Sequence, residues 1–504
     1  MKRTMFLVAL MAGSALAEPF DIPKEQFRSK EFIKGFVGAF GFLSPVEPKV
    51  DREESELLIE LSELFSDGRF REAEARIVNF IKERKNPTEE GVEPKDVSAA
   101  LVFQLAQLYY MNDRTKDAER AYKLAIERHP DFRRAHKYLG LLYASEDRIS
   151  EALPHLKRTL ALGEADQLIF GLLGYAYTQE GKPLAAEGAY RQAYLLNPDE
   201  SQWKSGLALT LYQQEKWVEA AAMLGELLTE TPEAGDFWKM QANCYLNMGE
   251  PLRAATNFEA MRLKNLADEA TLNTLGDIYT DQRKPLLALG AYLAALEMSE
   301  TVNVQRSLKT AEVLADYGAP RESAEYISAI RSKGVTLSRD EQVRLKLVEL
   351  TIAKETGEID RVGTLLTEIL AIDPTNGEAR IENGLYYERQ AETADEEEAG
   401  QLLATAGAQF KLAMNSQDED IRYTATRSYG QMQVRQREYV DALSYLEQAV
   451  AMKPSDNLRR YVRQVSVFAE KQKERESREQ AEREAARQER EAKENAEEAN
   501  NESE

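Results

Sequence analysis

An alanine returns every 34 residues through the middle of this chain, at Ala118, Ala152, Ala186, Ala220, Ala254 and Ala288. A fixed period of this length marks a stacked repeat architecture, in which each unit is one supersecondary element that cannot bury its apolar face alone. The neighbours of each alanine keep the same register. Twelve to thirteen residues earlier stand the pairs Leu105-Ala106, Leu139-Gly140, Leu173-Gly174, Leu207-Ala208, Gln241-Ala242 and Leu275-Gly276. Nine residues earlier come Tyr109, Tyr143, Tyr177, Leu211, Tyr245 and Tyr279, and four later Tyr122, Leu156, Tyr190, Leu224, Phe258 and Tyr292. Small residues recur where two backbones must touch, and large ones where the space beside them must be filled. Apolar positions within each unit follow i, i+3, i+4, i+7 spacing, which predicts two amphipathic helices per unit and no strands.

The stretches LVFQLAQLYYMNDRTKDAERAYKLAIERHP (101–130) and FGLLGYAYTQEGKPLAAEGAYRQAYLLNP (170–198) resemble the tetratricopeptide-repeat (TPR) family, whose pattern is W-x2-L-G-x2-Y…A-x3-F…P. FWKMQANCYLNMGEPLRAATNFEAM (237–261) places Trp238 at the family's tryptophan position. Six units in one frame over 98–300 make the match specific. The resemblance implies an all-α TPR α-solenoid, a right-handed superhelix of about ten helix pairs.

Outside this block the pattern loosens. Residues 51–97 read as a degenerate N-terminal repeat and linker, with SDGRFREAEARIVNFIKERKNP (66–87) as the second half of a unit. Residues 301–375 read as degenerate helical repeats, with the small residue arriving two positions late at Ala324, and this slip is the expected place for a bend or hinge. Residues 376–457 read as C-terminal TPR units, with Gly384, Gly430, Ala442 and Leu446 in register. The acidic insertion AETADEEEAG delays Phe410 and Ala413 by about ten residues, through either an elongated helix or a surface insertion. Pro130, Pro198, Pro232, Pro374 and Pro454 fall just after predicted second helices, where proline ends a helix without loss. The charged stretch 458–504 reads as a C-terminal helix with i, i+4 pairs such as Glu474–Arg478 but no apolar seam, fraying into a disordered tail.

The first 17 residues have the form of a secretory signal: Lys2 and Arg3, the apolar run MFLVALMAG, and Ala15-Leu16-Ala17 as an A-x-A site, so cleavage is expected after Ala17. Residues 18–50 form a Phe/Gly-rich arm with Phe20, Phe27, Phe32, Phe36, Phe40 and Phe42. It is expected to cap the first helices, with docking to a partner or membrane surface as the alternative. The single cysteine, Cys244, excludes an intramolecular disulfide and is expected in the core. A formal net charge of −22 argues against nucleic acid or an anionic membrane as the general partner. No second apolar run is long enough to span a bilayer, so the mature chain is expected to have no integral membrane segment.

Catalysis needs residue types at particular spacings, and those patterns are missing. There is no G-x4-G-K-[ST], H-E-x-x-H, G-x-S-x-G or C-x-x-C. His129, His136 and His155 are the only imidazoles, and their spacing puts no ligand pair on one helix face. The expectation is a non-enzyme with no catalytic residues, no metal and no cofactor. The family resemblance instead implies a concave groove lined by first-helix residues, here Phe103, Gln107, Tyr110, Lys137, Tyr175, Thr178, Gln179, Tyr212, Gln213, Lys239, Asn243, Asn247, Asn273 and Asp277. Side-chain amides can bond an extended peptide backbone and tyrosines give contact area at low entropic cost. Lys239 and Asn243 also match part of a terminal-carboxylate clamp of some TPR proteins, with Asn273 one position off and Arg306 out of frame.

The expected function is a protein-protein interaction scaffold that binds proteins or extended peptides, exported and periplasmic (secreted as the alternative), within a bacterial envelope complex. Two other readings stand beside it. One is a self-assembling structural protein using its arm or C-terminal helix, and the other an accessory subunit of an energised transport or secretion machine of the TonB/ExbB type.

Overall fold

The computed structural model describes residues 46–88 and 95–501, all helix and connection, with no strand among them. The signal-like residues 1–17 and the arm as far as residue 45 lie outside the described residues. Two compact units divide at Ala267 and Asp268. The division falls inside the in-phase block and not in the segment 301–375.

The first unit contains α1 (Arg52–Ser66), α2 (Phe70–Lys85), α3 (Ala99–Met111), α4 (Thr115–Arg128), α5 (Arg133–Ser145), α6 (Ile149–Ala161), α7 (Gln167–Gln179), α8 (Pro183–Leu196), α9 (Ser201–Gln213), α10 (Trp217–Glu230), α11 (Gly235–Asn247) and α12 (Pro251–Leu263). The second contains α13 (Glu269–Asp281), α14 (Pro285–Met298), α15 (Val304–Asp316), α16 (Pro320–Ser332), α17 (Arg339–Thr356), α18 (Ile359–Ile372), α19 (Gly377–Ala391), α20 (Glu396–Ala413), α21 (Glu419–Arg435), α22 (Tyr439–Met452) and α23 (Asp456–Asn501). Each odd-numbered helix through α21 packs on the helix that follows it, so each unit is an α-solenoid of helix pairs.

The six phase-setting alanines are each 0% exposed. Opposite three of them, the glycine of the first helix leaves a space that the large residue of the second helix enters. A Cβ built on Gly140 would lie 3.0 Å from Leu156, on Gly174 2.8 Å from Tyr190, and on Gly276 2.4 Å from Tyr292. The same contact returns late in the chain as Gly384 against Phe410 and Gly430 against Leu446. The turn between paired helices also repeats at 34 residues. Asp113, Asp147, Gly181, Glu215, Gly249 and Arg283 all have positive φ there. Second helices open on proline at 183, 251, 285 and 320, where its missing N–H costs nothing. The five helix-ending prolines each lie two residues beyond a second helix.

One expectation about the register needs correcting. In α16 the residue that meets the first helix is Ser323, not Ala324. Ser323 is 0% exposed and its hydroxyl donates to the Ala311 carbonyl at 2.7 Å, whereas Ala324 is exposed. The frame slips by one residue, not two, and a hydroxyl replaces the methyl group because its proton has a backbone acceptor. At the C-terminus, α23 runs as one helix from Asp456 to Asn501. Its first turns bury Leu458, Val465 and Ala469, with Leu458 and Val465 packed on Leu446 and Ala449 of α22, so it closes the last pair before becoming a solvated helix. The acidic insertion resolves as an elongated helix: α20 begins at Glu396, capped by Asp395, which accepts from the Glu398 N–H at 2.9 Å. Cys244 is fully buried, and burial pushes its thiol up to about 12. No described helix is long and apolar enough to cross a membrane.

Gly276→Ala is expected to force Tyr292 out of its seat and lower the stability of the second unit by about 1–3 kcal/mol. Gly290→Ala, on the facing helix with open space around it, should instead stabilise by about 0.5–1 kcal/mol. Urea midpoints of the two variants decide this, and equal shifts would refute the packing argument.

Candidate functional site

First helices carry their candidate groove residues one repeat apart, so side chains from neighbouring repeats can meet only where the stack brings them together. That occurs between α9 and α11. The amide nitrogen of Asn243 donates to the Tyr212 hydroxyl oxygen at 3.4 Å, and Asn247 donates to the Asn243 carbonyl at 2.9 Å. The Tyr212 ring stands edge-on to Trp217 at 5.3 Å, and its partial burial raises the phenol pKa, with the Asn243 bond working the other way. Asn247 is exposed and Lys239 half-buried, each one turn from Asn243 on the same helix, and Gln213 is exposed at the end of α9. Asn243 thus links the two repeats and anchors Asn247, and side-chain amides of this kind suit a polypeptide backbone.

Other candidates are placed differently. Phe103 is 1% exposed, enclosed by Tyr122, Phe132 and Tyr138 with ring centroids 5.7, 5.0 and 5.6 Å away, so it is core and not groove. Gln107, 3% exposed, is likewise interior. Tyr110 lines a crevice with Tyr122, Tyr138, Leu141 and Leu142. Lys137 is held by Glu164 at 2.5 Å and Asp166 at 2.7 Å. Burial works against its charge, but the two carboxylates outweigh it and hold the ammonium above the ordinary lysine value. A lysine so neutralised has little charge to offer a partner. Tyr175 is buried, donating to Asp147 at 3.1 Å, and Thr178 bonds the Gly174 carbonyl, whereas Gln179 is exposed. Asn273 and Asp277 belong to the second unit. There Asp277 accepts from Tyr292 at 2.8 Å and from Arg306 at 2.6 Å, so the arginine of the clamp pattern is already paired.

Two features escaped the sequence. A cavity of about 530 Å³ lies in the second unit between the α17–α18 turn and α19–α20, lined by Lys354, Ile359, Tyr386, Arg389, Gln390 and Leu402 among others. The elongated α20 supplies one wall, and the acidic insertion was its only trace in the sequence. The second feature is a histidine pair. His136 on α5 and His155 on α6 face each other with Nδ1 atoms 2.9 Å apart, and His136 Nε2 lies 3.0 Å from the Pro130 carbonyl. The carbonyl can only accept, so Nε2 carries the proton, His136 Nδ1 accepts, and His155 Nδ1 donates. Among the described residues no group of three or more His, Cys, Asp or Glu is arranged to hold a metal ion.

Burial lowers both imidazole pKa values, and His136 adds to the effect on His155, which falls to about 4. A histidine whose folded pKa lies below its unfolded value of roughly 6.5 contributes stability above that pH and loses it as pH falls toward the folded value. The first unit is therefore expected to lose roughly 1–2 kcal/mol between about pH 6.5 and 4 from this pair, after discounting for partial solvent screening. His155→Leu should flatten that part of the profile in urea titrations at pH 7 and pH 4.5, and an unchanged slope would count against the pair.

The tetratricopeptide repeat family matches residues 103–167 and 172–235, the span of α3 to α10. Tetratricopeptide repeat protein 37 of Xenopus laevis is 24% identical over 247 residues, covering 45% of this chain and 16% of its own length. Superkiller complex protein 3 of Homo sapiens is 25% identical over 228 residues, covering 43% of this chain and 14% of its own. The chain thus spans less than a fifth of the length of these relatives. Among solved structures, a tetratricopeptide repeat protein from Parabacteroides merdae is 18% identical with a TM-score of 0.31, over 52% of this chain and 98% of its own. YrrB, described as a TPR protein with an unusual peptide-binding site, is 19% identical with a TM-score of 0.32, over 43% and 96%. The 34-residue helix pairs, their small-against-large register and the family match coincide over α3 to α10, and residues 103–235 of the chain are tetratricopeptide repeats.

Proposed function

We propose that the protein is a non-enzymatic scaffold that holds partner proteins or extended peptides on the first-helix face of its repeats. The observation that carries this reading is the Asn243–Tyr212 contact, which joins two repeats into one ledge with Asn247 and Lys239 one turn to either side of Asn243. An extended peptide presents a donor and an acceptor at each residue, and amides spaced by repeats can answer both without demanding one sequence. The acidic chain disfavours nucleic acid as that partner. Lys2, Arg3 and the Ala15-Leu16-Ala17 site support export, with the periplasm as the compartment and an envelope assembly as the setting.

A photo-crosslinking residue placed at Asn247 in intact cells should capture a defined partner, and Lys239→Glu with Tyr212→Ala should reduce the yield at least fivefold while helical circular dichroism is unchanged. Capture only from an exposed second-helix position such as Glu219 would move function away from the ledge. N-terminal sequencing of the protein from the cell should begin at Glu18, and recovery of Met1 would remove the export reading.

A further inference from the structure

Residues 46–48 reach past four helices in the sequence to the start of α5. The Val46 carbonyl accepts from the Arg133 N–H at 3.2 Å, filling one of the first-turn donors that a helix leaves open. Phe132, the N-cap residue, makes no side-chain cap of its own. The Glu47 carboxylate is 8% exposed and lies between two guanidinium groups, with Arg134 Nε at 2.9 Å and Nη2 at 2.8 Å, and Arg133 Nη2 at 3.6 Å. The Arg134 guanidinium also lies over the rings of Phe103 and Phe132, at 5.5 and 5.8 Å. Arg133 has a second carboxylate, Glu164, at 3.4 Å. Pro48, also buried, follows directly.

These contacts have the parts of a peptide-recognition site: a main-chain acceptor on a helix N–H, a carboxylate oxygen against a guanidinium, and an aromatic shelf under that guanidinium. A cap alone needs only the first. We infer that Arg134, on the Phe103–Phe132 shelf, and Arg133 beside it form a site for the acidic residue of an apolar–Glu–Pro segment. In this chain Val46-Glu47-Pro48 occupies the site in cis, as a latch that an acidic peptide of a partner displaces. Only residues 49–51 separate the segment from α1, too short a connection to carry it to the same site on a second copy, so the resident segment belongs to its own molecule. A tethered occupant acts at an effective concentration of about the millimolar range, so a free peptide meets a site already largely filled. The proposal uses none of the residues of the Tyr212–Asn243 ledge and stands or falls apart from it.

The test uses the full mature chain and a fluorescent synthetic peptide with the sequence of residues 44–50, SPVEPKV, read by anisotropy. Glu47→Gln should bind this probe at least tenfold more tightly than the unaltered chain. The same peptide with glutamine in place of its glutamate should bind at least tenfold more weakly, and adding Arg134→Gln should abolish binding. Amide exchange at Arg133 checks that the fold survives: it should rise in Glu47→Gln, fall again on adding the probe, and fall in the charge-swapped pair Glu47→Arg with Arg134→Glu. Equal probe binding by Glu47→Gln and the unaltered chain would overturn the proposal, as would binding that persists without Arg134. Restored protection in the swapped pair with no probe binding by any variant would also overturn it, leaving a fixed helix cap.

Discussion

The close approach of two helices at a glycine or alanine, filled by a tyrosine, phenylalanine or leucine from the partner helix, is the contact on which the other features depend. It sets the spacing within each pair, and because it repeats at 34 residues it also sets where the next pair can dock. A missing Cβ on Gly276 is matched by the Tyr292 ring, whose hydroxyl then reaches Asp277. Packing and polar satisfaction are therefore coupled: the ring that fills the gap also delivers a donor to a carboxylate, which in turn pairs with Arg306. Interiors packed to crystal density leave little freedom to change one of these without the others.

Departures from the period carry their own consequences. The one-residue slip at α16 is absorbed by a serine that returns its proton to the Ala311 carbonyl. The longer slip before α20 is absorbed by extending a helix, and the extension builds a wall of the cavity that Arg389 and Ile359 share. A repeat protein tolerates such changes because each pair touches only its neighbours, so a local lengthening need not propagate along the stack.

The electrostatics follow a similar logic. In a chain of strongly negative formal charge, many arginines and lysines are drawn into pairs on the protein itself. Exposed pairs of this kind add little stability. Their importance lies in deciding which cations remain available: Lys137 is bound by two carboxylates, and Arg134 holds Glu47.

The family, the helix pairs, the burial of the six alanines and of Cys244, and the helix-ending prolines could be read from the sequence, because each depends on residues within one or two helices of each other. The candidate site was legible only in part. The register placed Tyr212, Asn243 and Asn247 on a first-helix face, and there neighbouring repeats do meet. The same register placed Phe103, Gln107 and Lys137 on that face too, but their fate is set by what packs over them: Phe132 and Tyr138 from the next repeat, and Glu164 and Asp166 from the loop after α6. The histidine pair was invisible because its rings meet across a hairpin and not along one helix. The sequence by itself determined the period, and with it the fold, since repetition encodes local packing many times over. Only the tertiary structure decided which side chains stay free to meet a partner, since exposure is settled by contacts such as Glu47 with Arg134, made once and between residues far apart in the chain.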